Sequence, residues 1–152
     1  MQRFELTVFI DCKRDRVYDH LSEPINMIGL QPRLTEIDTL KGKRDVDGIV
    51  LRPFHMVETY RLLGFPILRH RLYSVIRLVK PKEELELQVH GKPGIEIVFH
   101  YRFQQSNDQR TQVTQTLQAL EANKLLEIPV LNQAKYTQRV LLSNLKVRLE
   151  RH

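Results

Sequence analysis

The 152-residue chain has no tryptophan and one cysteine, Cys12. A single cysteine excludes an internal disulfide. No CxxC or Cys/His cluster offers zinc a ligand set, so no metal or cofactor is expected. Long hydrophobic runs are missing too. The longest, Leu62 to Leu68, is broken by Gly64 and Pro66, whereas a bilayer-spanning helix needs about 20 apolar residues. The first residues enter an alternating pattern directly, without the basic and then apolar stretch of a signal peptide. These absences predict a soluble, cytoplasmic protein with no transmembrane segment. Aromatic residues make up 7% of the chain, few for the stacking platforms that hold single-stranded nucleic acid.

Hydrophobic residues at 41% and charged residues at 28% are ordinary globular proportions and exclude disorder and fibrous repeats. The length suits one domain over residues 1–152 with its own core. The net charge of +6 raises phosphate-bearing partners. However, the basic residues fall in short groups: Lys13-Arg14, Lys41 to Arg44, Arg69 to Arg71 and Lys146 to Arg151. That scatter predicts a solvated surface, with no nucleic-acid partner. Weak contact with an anionic membrane or an acidic protein is allowed through Lys135, Arg139, Lys146, Arg148 and Arg151.

Phe4, Leu6, Val8 and Ile10 repeat with period two and predict a half-buried strand. Val17, Tyr18 and Leu21 then follow helical spacing within Arg14 to Ser22, and Pro24 opens a second short turn that Gly29 ends. From Arg33 onward, clusters of turn residues separate six strands: Arg33 to Lys41, Ile49 to Leu62, Ile67 to Lys80, Leu85 to His90, Ile95 to Gln105 and Thr111 to Glu121. Short turns imply an antiparallel meander. Pro53 cannot donate to a ladder, so an edge or a bulge is expected there. From Pro129 to Arg151 the residues Leu131, Ala134, Leu141, Leu142, Leu145 and Leu149 form one apolar helix face, whose only large partner is the concave side of the sheet. The fold class read from this pattern is α+β: a seven-stranded curved antiparallel sheet wrapped on a long C-terminal helix.

Two stretches carry a family resemblance as well. Ile10 to Asn26, IDCKRDRVYDHLSEPIN, and His100 to Leu117, HYRFQQSNDQRTQVTQTL, resemble the opening strand-to-helix passage and the last hairpin of the START/SRPBCC superfamily. That group includes the birch-pollen allergen, lipid-transfer START domains and polyketide cyclases/dehydrases. The order of elements over the whole chain is similar to the family's helix-grip fold. Many relatives carry a tryptophan after the second helix, where this chain has Gly29-Leu30-Gln31-Pro32. The resemblance implies an internal cavity for a lipid-, isoprenoid- or polyketide-like ligand.

Residues two apart in a strand share a face, and this lets the interior be read. Ile95, Ile97, Phe99, Tyr101 and Phe103 face inward, as do Leu85, Leu87 and Val89, and Leu68, Leu72, Ile76 and Leu78 with His70 and Ser74. A turn at Gly64 sets even numbers opposite even numbers, bringing Phe54, Met56, Glu58 and Tyr60 inside, with Tyr60 opposite or near His70. Val113, Gln115, Leu117 and Ala119 complete the lining, and Leu141 and Leu145 close it from the helix. An apolar wall with a few polar points is what ligand pockets usually present.

Each polar point also has a plainer reading as a satisfied core group. Glu58 with His70 is either a structural hydrogen bond or a ligand-anchoring pair, since a lone buried carboxylate is costly. The same two residues are the acid–base candidates if the protein is an aromatase/cyclase- or dehydratase-type enzyme, with Tyr60 or Tyr101 donating to a developing oxyanion. Asp38 and Arg52 are expected to form a rim ion pair if the second hairpin keeps the same parity.

Overall fold

A computed structural model describes residues 3–91, 96–121 and 124–151, without the side chains of 60–62, 66–68, 120, 121 and 124–130. The order of elements follows the sequence pattern closely: β1 (Arg3–Ile10), α1 (Arg14–Leu21), a 3-10 turn (Pro24–Met27), β2 (Leu34–Thr39), β3 (Lys43–Arg44), β4 (Val50–Leu62), β5 (Phe65–Lys80), β6 (Glu84–His90), β7 (Glu96–Asn107), β8 (Arg110–Glu121) and α2 (Lys124–Glu150). The sheet has eight strands rather than seven, in the order β1-β8-β7-β6-β5-β4-β2, with β3 also on β4. The extra strand is only two residues long and lies in the segment expected to be a turn. All the pairings are antiparallel.

Register and burial agree with the expected inward faces at the buried positions of β4, β5, β7 and β8. Phe54 lies opposite Ser74, Met56 opposite Leu72, Glu58 opposite His70 and Tyr60 opposite Leu68. On the far side Phe99 meets Leu117, Tyr101 meets Gln115 and Phe103 meets Val113. Their buried side chains form one apolar cluster with Leu141, Leu142, Leu145 and Leu149 of α2. Ile95 lies outside the described residues.

Three expectations need correction. α2 starts five residues early, so its 27 residues span about 40 Å, and Pro129 is its sixth residue rather than part of the first turn. Pro53 makes neither a bulge nor a free edge. It sits where the outer neighbour of β4 changes from β2, ending at Thr39 opposite Phe54, to β3, starting at Lys43 opposite Leu51. A missing N–H is harmless in that gap, and the Pro53 carbonyl accepts from Leu40 N. Third, Asp38 and Arg52 do not pair. A register shift between Leu34 and Glu36 reverses parity and sets Asp38 opposite His55. Asp38 instead meets Arg71, while Arg52 reaches Glu23 at 2.6 Å and the Ser22 carbonyl.

Candidate functional site

The interior has two polar stations, one beside a pocket at Glu58 and one buried at Gln138 of α2. The first is built by β4 and β5. Their two-residue connection, with a register shift between Tyr60 and Arg61, sets Glu58 opposite His70, both half-buried. No hydrogen bond joins the two side chains among the described residues, so the structural-bond alternative is not realised. A pocket of about 160 Å³ opens beside Glu58, lined also by Gln31, Pro32, Arg33 and, from α2, Gln133, Tyr136 and Thr137. Burial pushes the Glu58 carboxyl above the usual carboxylate range, against the opposing pull of His70 and Arg33. A carboxyl held in this way keeps its proton closer to neutrality and can donate it to a ligand oxygen or act as a general acid.

The second station lies deeper. Gln138 of α2 is almost wholly buried, and its Oε1 accepts from both Tyr101 Oη at 2.9 Å and Gln115 Nε2 at 2.7 Å. Burial raises the Tyr101 phenol above its ordinary range, so it stays a neutral donor. The plainer reading therefore holds for Tyr101 and for half of the Gln115 amide. Gln115 Oε1 has no hydrogen-bond partner, nor does the fully buried Ser74 Oγ. Turning the Gln115 amide over exchanges which of its ends is left over, not the fact that one is.

Between the stations the wall is apolar and tightly filled. Phe54, Met56, Leu72, Ile76, Leu87, Ile97, Phe99, Leu117, Leu141 and Leu145 are all buried. A void of about 10 Å³ is enclosed by Leu21, Met27, Ile76, Leu85, Leu87 and Tyr101, close to the minimum that holds one water. The Tyr60 side chain lies outside the described residues, and its backbone faces Leu68 rather than His70. Among the described residues no three His, Cys, Asp or Glu side chains cluster as metal ligands. No described helix is long and apolar enough to cross a membrane.

Gln138 escaped the sequence reading although its position was visible there. It is four residues after Ala134 and three before Leu141, in phase with the buried stripe. The basic residues of α2 also differ from expectation. Arg148 donates to the carbonyls of Asn26 at 2.6 Å and Ile28 at 2.8 Å and contacts His20 Nε2 at 3.1 Å. Lys146 reaches the Phe9 carbonyl and Glu150. Those two cations fasten the fold and are not a free basic face.

No family model matches the chain. Among curated proteins it is 30% identical over 125 residues to a nonribosomal peptide synthetase, sidC, of Aspergillus fumigatus. That stretch is 77% of this chain, which spans 3% of the synthetase's length. Solved structures agree over nearly the whole chain. The Zhui aromatase/cyclase from a Streptomyces species has a TM-score of 0.75 at 13% identity, covering 99% of this chain and 94% of that one. One half of the di-domain aromatase/cyclase BexL matches at 0.75 and 14% identity, over 99% of this chain and 47% of that one. A START superfamily protein from Mycobacterium smegmatis matches at 0.72 and 13% identity, over 98% and 97%. With its antiparallel sheet curled on α2, its paired first and last strands and these neighbours, the chain has the START/SRPBCC helix-grip fold.

Proposed function

We propose that the protein binds a hydrophobic small molecule, lipid-, isoprenoid- or polyketide-like, between the sheet and α2, with the ligand's polar end at Glu58. The observation that carries this reading is the half-buried Glu58 carboxyl, raised above its usual range, on the wall of a pocket of about 160 Å³. That space equals about five waters at roughly 30 Å³ each. It suits a ring or a polar end, while whole-ligand pockets start near 300 Å³. The apolar remainder of the ligand would enter along Met56 and Leu72 by displacing these packed side chains, since the space described beyond the pocket is a void of about 10 Å³. The reading places the protein in the cytoplasm, in keeping with one buried, unpaired cysteine.

Titration with a fluorescent fatty acid, and with isoprenoid and aromatic polyketide-like competitors, tests this directly. Saturable binding is expected, weakened several-fold by Tyr136→Asp, a change at an exposed rim position that leaves the core alone. Absence of saturable binding by every probe class overturns the reading. Native mass spectrometry of the purified protein would name a co-purified ligand directly.

A second reading, an aromatase/cyclase- or dehydratase-type enzyme, is favoured by one observation: Glu58 with a raised pKa faces His70 across β4 and β5. Glu58 would then be the acid and His70 the base. Unchanged turnover in Glu58→Gln and His70→Ala, measured on any substrate found, removes it.

A further inference from the structure

The β4–β5 hairpin carries a feature that ligand binding does not use. Its two-residue turn is Leu63-Gly64, flanked by the pair Leu62 and Phe65. Both central residues have positive φ, 51° for Leu63 and 84° for Gly64, as a type I′ turn requires. Glycine adopts this freely. For a bulky residue such as leucine it is an outlier that costs energy, and Asn or Asp is the usual occupant. Leu63 is also 90% exposed and the adjacent Phe65 73% exposed. A strained leucine and a phenylalanine thus stand in solvent at the tip of the longest hairpin, where an Asn-Gly turn would be easier on both counts.

We infer that this tip is a docking element for an anionic lipid bilayer. Residues 61–71 contain three arginines, Arg61, Arg69 and Arg71, and no carboxylate. Arg69 and Arg71 are each 59% exposed on the outer face, where they meet Glu36 and Asp38 of β2. Ion pairs this exposed contribute little and can be given up for lipid phosphates. Apolar side chains beside basic ones supply the two weak signals that together hold a protein on a membrane surface. A second copy of the chain fits less well. Two side chains offer far less than the roughly 800 Å² each partner gives to a stable interface.

The inference deepens the ligand-binding reading, because it names the source from which an apolar ligand would arrive. Glu58 lies five residues from Leu63 along β4, about 16 Å at 3.3 Å per residue. With the tip in the acyl boundary, the Glu58 pocket would sit at headgroup level.

Co-sedimentation with vesicles of phosphatidylcholine, alone or mixed with phosphatidylserine, tests the inference. The wild-type protein is expected on the mixed vesicles, less at high salt, and little on phosphatidylcholine alone. The double variant Leu63→Asn with Phe65→Ser is expected to lose about 10-fold or more in partitioning, since each side chain is a large apolar group. Its thermal midpoint should hold or rise, because Asn-Gly is the favoured I′ pair. Arg139→Glu, on the exposed face of α2, should change partitioning little.

Three outcomes overturn the inference: no wild-type binding to the mixed vesicles, binding that survives the tip variant, or a wild-type dimer that the tip variant dissociates in light scattering. Fatty-acid binding in vesicle-free solution should persist in the tip variant, so failure of docking and failure of ligand binding are told apart.

Discussion

The two ends of the molecule are built on opposite terms. At one, α1, the 3-10 turn and the C-terminal half of α2 are tied by polar contacts over buried apolar residues. Arg148 holds Asn26, Ile28 and His20, Asn144 holds the Leu30 carbonyl, and Glu150 accepts from Asp11 N. Ile10, Val17, Leu30 and Leu145 beneath them are fully buried. At the other end, Glu58 faces His70 without a bond, Tyr136 is exposed beside a pocket, and Leu63 and Phe65 stand in solvent. One end fastens the helix to the sheet. The other leaves polar and apolar groups half-buried or exposed.

The largest way to break this contrast is through the tied end. Leu145→Ala should cost about 3 kcal/mol in urea unfolding, as fully buried leucines usually do. Arg148→Ala should cost about 2 kcal/mol, because two backbone carbonyls lose a charged donor. Gly29→Ala should cost about 1 to 2 kcal/mol, since its φ is +87° and an added Cβ would lie 2.7 Å from Arg148 Nη2. Measured together, the Gly29 and Arg148 changes should be less than additive, because part of the alanine's cost is the collision with Arg148.

The pH response should have opposite signs at the two ends. Burial, then Arg148 and Arg16, lower the His20 pKa below its ordinary 6.5. Between the folded and unfolded values the unfolded chain binds more protons, so stability falls as pH drops through that window. Glu58 is raised above 4.5, so the folded chain holds the extra proton, and stability falls as pH rises from 4.5 through the folded value. In thermal melts across pH, His20→Gln should flatten the first slope. Glu58→Gln should raise the midpoint at neutral pH, with the gain gone below 4.5. The smallest effect is Leu63→Asn alone, a rise of under about 1 kcal/mol from relaxing the turn.

The strands were legible because period-two alternation and turn chemistry agree, and the even-to-even parity of β4 with β5 holds because an irregularity between Tyr60 and Arg61 offsets the odd step set by the two-residue Leu63-Gly64 turn. Parity failed at Asp38 because the irregularity between Leu34 and Glu36 is a backbone event with no mark in side-chain pattern. Arg148 read as surface because its charge suggests water, yet a long side chain can lay its head on the carbonyls that end a neighbouring turn. Gln138 was hidden by type and not by position. How full the interior is depends on how neighbouring side chains interlock, which no spacing rule records.

The pairing of β1 with β8 has a further consequence, for how the chain is made. Strands β4 to β8 can zip in order as each hairpin emerges from the ribosome, since every one pairs with its predecessor. β1 cannot. Its partners run from Thr111 to Gln118, and the residues of α2 that latch it, Lys146 and Glu150, are later still. Residues 3–10 therefore wait until residues 111–118 are made, with their apolar face open. Closing so distant a pair is the step expected to limit refolding and to leave the half-made chain dependent on chaperones.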